Sequence, residues 1–535
     1  MNHHPILNLV LRYFIILLSV IGTAGLFLFL PSPAVQKQKS GYSYYSSLTG
    51  TATCTQPEST DSLQELPELS HRKMQYTVQA EYMELPEEAS VSKRRSGYQG
   101  NGYVAGLPAH TEKALVFPVH IPYSQHYAVT VCAASAKTVE NAIRINGELL
   151  SDFTLIGDSR FTLVTFYGIF MEEGSAEIAI DTGEPGIEVD FIRLREDFSL
   201  DNQVFRIADS PCNPNAAPET VTLYQTLAAE WDSSMITGQY VSDNSNRELN
   251  MIYQVTGQLP AIRFSALGTR DDREVISGAM DWHVYMHGIV GLMWHWQAPG
   301  SDSVYAEEAD FDLYEALRDA DPEKLAAMTP EEADKAVSDG TLTPDARSLL
   351  ADIDETSAML IRLRNMDIPV LWRPLHEAGG GWYWWGAYGR DSYEKLWLLL
   401  YYRMTDYHNL NNLIWVWNGQ SASYLVPERT YDIAAADIYL SPEMEFGSRH
   451  EQFQALANLT HHRKMLALSE CSSLPNPDQM LLDRSVWSFF GLWYGEYLMN
   501  PDGTLSESYY SSSDLYKLYN SKQVLSLNDF LSIYQ

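Results

Sequence analysis

Basic charge is scarce in this chain. Only 36 Lys and Arg stand against 69 Asp and Glu over 535 residues, a net charge of −33. That balance argues against nucleic acid or an anionic membrane surface as the main partner, since both repel a polyanion. It suits a soluble protein acting on a neutral polymer. Cysteine is scarce too. Cys54, Cys132, Cys212 and Cys471 form no CxxC or other metal-ligand spacing. Cys54 and Cys212 sit in linker-like sequence on either side of a middle segment, where a disulfide would suit an exported protein, although four cysteines allow three full pairings. Charge of either sign is absent from the 18 residues Tyr13–Leu30, YFIILLSVIGTAGLFLFL, which follow Arg12. Such a run reads as a signal peptide, with Ser32-Pro33-Ala34 as a small-residue cleavage site, or as an uncleaved anchor in the membrane. Either places the rest of the chain outside the cell, secreted or held on the outer face.

Aromatic residues are plentiful, with 33 Tyr and 13 Trp, and the 45% hydrophobic content supports large cores. The length calls for more than one domain. Residues 1–34 form the signal segment, and residues 35–72 are a spacer rich in Ser, Thr, Tyr, Gln and Pro. Over residues 73–198, β-branched or alternating runs such as YTVQAEY, ALVFPVHI, YAVTVC and VDFIRL are separated by turn signals, among them Asn146-Gly147 and Pro185-Gly186. This pattern predicts an all-β jelly-roll sandwich. Residues 199–220, including SPCNPNAAPET, read as a second linker. From 221 to 535, buried-strand runs (PAIRFSA, GIVGLMWHW, PVLWRPLHE, NLIWVWN, AAADIYL, KMLALSE, SFFGLWY) alternate with helical periodicity, which predicts a (β/α)8 barrel. Within it, Ser301–Glu355 carries 17 acids against four bases and reads as a solvated helical insertion.

Barrel enzymes keep their chemistry at the C-terminal ends of the strands. The most loaded end is VLWRPLHEAGGGWYWWG, Val370–Gly386, with four of the 13 tryptophans between Trp372 and Trp385. It presents Arg373, His376 and Glu377 before three glycines and Trp382. Other ends offer Trp294 and His295, Trp417 and Asn418, Asp437 and Tyr439, Glu470, and Trp493. Two carboxylates, Glu377 and Glu470, thus face one aromatic space. Glycosidic cleavage needs such a pair, one protonated to assist the leaving oxygen and one ionised to attack carbon or activate water. Burial against Trp and a neighbouring negative carboxylate would raise the pKa of one member of such a pair, while hydrogen-bond donors such as Tyr439 or Arg373 would keep the other ionised. Tryptophans in barrel strands serve core packing as readily as sugar stacking, so Trp294 and Trp417, with Asn418, are the weaker candidates.

These motifs carry a family resemblance. WRPLHEAGGGWYWWG resembles the acid/base motif of glycoside hydrolase family 26, and LALSECSSLPNPD its nucleophile motif. GLMWHWQAP, NLIWVWN and DIYL are similar to further strand ends, and the likeness runs from about Glu230 to Tyr497. It implies a retaining mechanism with Glu377 as acid/base and Glu470 as nucleophile. Tyr439 would sit beside the nucleophile, His295 and His376 would bind sugar, and Trp382 and Trp493 would be aromatic platforms. His376 before Glu377, where many related barrels have Asn, favours family 26. QAEYMEL, SGYQGNGYV and IEVDFIRL resemble carbohydrate-binding module family 35. That implies a structural calcium held by Gln79, Glu81 and Asp190, with Asn101 and Tyr103 in a loop that could touch sugar. The expectation is an exported, monomeric endo-β-1,4-mannanase acting on mannan, galactomannan or glucomannan, with no cofactor in the chemistry. A family 26 β-1,3-1,4-glucanase, a β-1,3-xylanase and a non-catalytic carbohydrate-binding protein are the alternatives.

Overall fold

The computed structural model describes residues 70–534 apart from 159, 269–271 and 443. The expected signal segment, nearly all of the first spacer, and Cys54 lie outside the described residues. Among the described residues no helix is long and apolar enough to cross a membrane.

The first domain is a sandwich of two antiparallel sheets. Its strands are β1 (Gln75–Gln79), β2 (Ser90–Ser92), β3 (Tyr103–Ala105), β4 (Thr111–Ile121), β5 (Gln125–Ser135), β6 (Val139–Ile145), β7 (Glu148–Leu155), β8 (Thr162–Met171), β9 (Gly174–Thr182) and β10 (Ile187–Glu196). One sheet runs β2-β3-β10-β5-β8 with β1 also on β10, and the other β4-β9-β6-β7. The inward residues of both sheets, such as Phe117, Val129, Val131, Ile143, Ile178, Ile180 and Ile192, make one fully buried core. The β6–β7 hairpin turns at Asn146-Gly147, both with positive φ (53° and 91°), as an Asn-Gly turn requires.

The second domain is a closed barrel of eight parallel strands. A short strand β11 (Met235–Ile236) precedes β12 (Gly238–Tyr240), β13 (Ile262–Leu267), β14 (Ile289–Trp294), β15 (Val370–Arg373), β16 (Leu413–Trp417), β17 (Ile433–Ile438), β18 (Met465–Cys471) and β19 (Phe490–Leu492), and β20 (Val524–Leu525) pairs back to β11. Parallel barrel strands are covered on both faces, hence the continuous apolar runs; all five residues of β16, LIWVW, are buried. Helices α1 (Pro218–Glu230), α2 (Arg247–Thr256) and α3 (Arg273–Met286) come before β14. Three short helices follow it, α4 (Leu313–Leu317), α5 (Pro322–Ala327) and α6 (Pro330–Ser338). They lie in the acidic stretch, whose end starts α7 (Pro344–Arg364), the crossover helix to β15. Leu349, Leu350, Ile353 and Leu360 of α7 are buried, as their spacing predicts, and Ile361 is half-buried. After β15 come α8 (Gly389–Tyr402), α9 (His450–Leu459), α10 (Pro477–Leu482), α11 (Ser512–Tyr519) and α12 (Leu527–Tyr534).

The 199–220 segment corrects the linker expectation. Arg206 N donates to the His462 carbonyl (2.7 Å), Cys212 N to Asp432 Oδ1 (2.5 Å) and Asn213 Nδ2 to Asn411 Oδ1 (3.0 Å), and α1 starts at Pro218 inside it. Its Pro-, Asn- and Ser-rich composition lacks apolar periodicity, yet several of its polar groups bond to barrel loops. The sandwich also touches the barrel directly. His126 Nε2 lies 2.5 Å from the Leu482 carbonyl. Within the 199–220 segment, Leu200 and Asp201 are held by Arg484 of the barrel, through the Leu200 carbonyl (2.7 Å) and the Asp201 carboxylate (3.1 Å). Gly168 sits so close to the barrel that a Cβ there would stand 2.6 Å from Nε2 of His450.

Candidate active site

Arg373 closes β15, and the chain then turns sharply. Leu375 and Glu377 both take left-handed backbone, with φ of 50° and 53°. Non-glycine residues held so cost about 1–3 kcal/mol each, a strain concentrated at functional sites. Glu377 is pinned there by Asn418, whose carbonyl and Oδ1 accept from the Glu377 N–H at 2.7 and 3.1 Å.

Opposite, β17 and β18 pair out of step. Ala436 pairs with Leu468 but Asp437 with Glu470, so Ser469 is an extra residue, a β-bulge. Two consecutive β18 side chains therefore reach the same neighbourhood. Ser469 Oγ donates to Asp437 Oδ1 (2.6 Å) and accepts from Asn418 Nδ2 (2.9 Å). Glu470 accepts from the Tyr439 hydroxyl (2.6 Å) and from Arg373. Arg373 also donates to Asp437 Oδ2 (2.8 Å) and to the Tyr240 hydroxyl (3.0 Å). Carboxylate oxygens of Glu377, Asp437 and Glu470 all lie within 4.8 Å of one another. Three acids so close could bind a divalent cation, but the Arg373 guanidinium already bridges Asp437 and Glu470 and supplies the positive charge.

The surroundings separate the two glutamates. Burial, then the charges of Asp437 and Glu470, push the Glu377 pKa well above the carboxylate range. Burial and Asp437 raise Glu470 to about 7, against the lowering pull of Arg373 and the Tyr439 hydroxyl. Glu377 therefore holds its proton more tightly, and Glu470 is the member of the pair that ionises first. Burial and Arg373 push His295 down to about 4, and burial, Arg373 and His295 push His376 well below its usual range, so both rings are neutral.

The cleft wall is aromatic. His295 and His376 lie 5.2 Å apart, with Tyr383 packed on both. Tyr305 stacks on Tyr383 at 5.7 Å. Trp493 lies against Tyr240 and Tyr494, and Trp382 and Tyr439 are 39% and 38% exposed. Three expected sugar contacts are corrected. Trp294 is buried and stacked on Trp296 at 4.1 Å, and Trp417 is buried with its indole N–H on the Tyr424 carbonyl, so neither offers a free face. Asn418 is buried and holds the Glu377 backbone instead.

The sequence profile described as glycosyl hydrolase family 26 matches residues 212–526. The chain belongs to glycosyl hydrolase family 26. It is a glycoside hydrolase. A mannan endo-1,4-beta-mannosidase of Thermothelomyces thermophilus is 29% identical over 82% of this chain and 87% of that protein. The mannan endo-1,4-beta-mannosidase B of a Piromyces species is 26% identical over 82% and 74%. The crystal structure of a Podospora anserina GH26-CBM35 beta-(1,4)-mannanase superposes with a TM-score of 0.59 at 27% identity, over 87% of this chain and all of that one. The match spans both domains, and the sandwich is CBM35-like. The structure of a β-mannanase from a symbiotic protist of the termite Reticulitermes speratus, complexed with gluco-manno-oligosaccharide, gives a TM-score of 0.51 at 29% identity over 61% of this chain and 99% of that one.

In this family 26 site, Ser469, Tyr240, Tyr305 and Tyr383 escaped assignment from sequence, and Asp437 was named at its strand end without a role. Asp437 lay in plain view two residues before Tyr439. The Ser469 contact depends on a bulge, and Tyr240 lies in a three-residue strand. In the CBM35-like domain, pairing of β1 with β10 brings the Gln79 and Asp190 region together. Gln79 Oε1 and Glu81 Oε2 are buried oxygens without a hydrogen-bond partner, and burial raises Asp190, as does the Glu81 charge. This donor set fits a hard cation, which takes carboxylate and amide oxygens. Tyr103 is corrected: it is buried, and its hydroxyl accepts from Ser92 Oγ and the Arg95 N–H, both at 3.0 Å. Asn101 stays at the surface, bonded through Nδ2 to the hydroxyl of exposed Tyr82 (2.6 Å).

Proposed function

We propose that the chain is an endo-β-1,4-mannanase working by retaining double displacement. The observation that carries the mechanism is the carboxylate pair. Oxygens of Glu377 and Glu470 lie within 4.8 Å, close to the about 5–5.5 Å of retaining enzymes and short of the about 6.5–9.5 Å of inverting ones. Glu470 attacks the anomeric carbon while Glu377 gives its proton to the departing oxygen. Glu377, now a carboxylate, then takes a proton from the water that cleaves the glycosyl-enzyme. Tyr439 and Arg373 orient Glu470, and the neutral His295 and His376 offer hydrogen bonds to sugar hydroxyls. The mannan substrate is supported by the names of the relatives above. The uncharged 13–30 run supports export, secreted or anchored, and a polysaccharide too large to enter a cell makes export necessary. The sandwich keeps the enzyme on its polymer, and Gln79, Glu81 and Asp190 hold a structural calcium that takes no part in turnover.

The test is reducing-sugar release from mannan, mixed-linkage β-glucan and β-1,3-xylan. Release from mannan with internal cutting is expected, and activity on β-glucan alone would overturn the substrate class. Glu470→Ala should abolish turnover, and azide should restore part of it with an inverted glycosyl azide product. Near wild-type turnover in that variant would refute the nucleophile.

A further inference from the structure

The triple glycine after Glu377 is not explained by the carboxylate pair alone. From the left-handed Glu377, residues Ala378–Gly380 make one tight turn, in which Gly380 N donates to the Glu377 carbonyl at 3.0 Å. A Cβ on Gly380 would overlap Cζ3, Cη2 and Cε3 of Trp382, so the benzo ring folds back directly over the bare Gly380 Cα. The Trp382 backbone is fixed independently, its carbonyl accepting from Ala306 N at 2.8 Å. The pyrrole edge, with the only hydrogen-bond donor of an indole, lies at the other end of the ring system. There it faces the Glu377 carboxyl, whose proton affinity it lowers. Trp382 remains 39% exposed, so part of its surface is open to the cleft.

We propose that Gly380 is a positioning residue for the proton donor: its missing side chain seats the Trp382 ring, and the seated indole holds the Glu377 carboxyl while presenting an aromatic surface to the departing sugar. This rests on the reading of Glu377 as acid/base. Any side chain at 380 unseats the indole, and a misplacement of about 1 Å at a reacting group can cost on the order of 10²-fold.

Gly380→Ala, Trp382→Ala and the double variant decide the matter, assayed on the polysaccharide and on a 2,4-dinitrophenyl glycoside of the same sugar. The dinitrophenolate leaves without a proton, so it bypasses the acid. Gly380→Ala is expected to lose about 10- to 100-fold in kcat/KM on the polysaccharide. It should lose far less in the glycosylation step of the aryl glycoside. A merely destabilised protein loses equally on both, and that result would overturn the proposal. In the Trp382→Ala background, where the space is free, Gly380→Ala should add no more than about a twofold effect. A further tenfold loss there would also overturn it. That arm decides the question even if Gly380→Ala alone fails to fold. The polysaccharide used is whichever one the wild type cleaves, so a wrong substrate class leaves the cycle intact. A wild type that cleaves none removes the acid/base and the proposal with it.

Discussion

Glu377 shows how one residue acquires its chemistry from its surroundings. Its folded pKa is raised, so the folded state binds the proton more tightly than the unfolded state. That contribution is complete below the unfolded value and drains away as pH rises toward the folded one. Glu377→Gln removes the ionisation. Its Tm advantage over wild type should be small near about pH 4 and widen toward about pH 8; calorimetry across that range checks it, and a constant offset would contradict it. The proposed acid and nucleophile stood out in the sequence because their residue types sit beside His, Trp and Gly at strand ends. Asp437, which raises both, could not be given its role: the guanidinium it shares with Glu470 comes from a strand 64 residues earlier.

At the scale of elements, the bulge in β18 ties three strands together. Asn418 after β16, Asp437 of β17 and Ser469 of β18 form a chain of hydrogen bonds ending on the Glu377 backbone. Ser469→Ala strands the Asn418 amide and one Asp437 oxygen in a buried setting. An unsatisfied buried group costs about 1–3 kcal/mol, so a loss of that size is expected in denaturant unfolding, with a fall in kcat. Full stability would show the bulge to be incidental. The longer barrel strands were legible because burial on both faces makes them continuous apolar runs. The short β12, with sequence GQY, carries no such signal. In the sandwich, VENAIRI and ELLSDFTL (β6 and β7) have polar residues enough to hide among loops, and only the Asn-Gly turn between them marked the hairpin.

For the whole molecule, sandwich and barrel share a hydrogen bond through His126 and a close contact at Gly168, and Arg484 ties the 199–220 segment between them to the barrel. One unfolding transition is expected in calorimetry, and Gly168→Leu, which cannot fit under His450, should split it in two. If Gln79, Glu81 and Asp190 hold calcium as proposed, EDTA should lower the transition temperature while leaving kcat on short soluble oligosaccharide substrates unchanged, because those residues lie in the sandwich. Composition hid this coupling, since a Pro- and Asn-rich segment reads as a tether whether or not a neighbour satisfies its polar groups. The left-handed backbone at Glu377 reaches furthest. Glycine would adopt that conformation freely, so the replacement that relaxes the turn also deletes the proposed proton donor. Active sequences thus lie uphill of inactive neighbours. A lineage selected for persistence alone would drift toward a sturdier, inert protein, and only continued dependence on the sugars it releases keeps the strained glutamate in place.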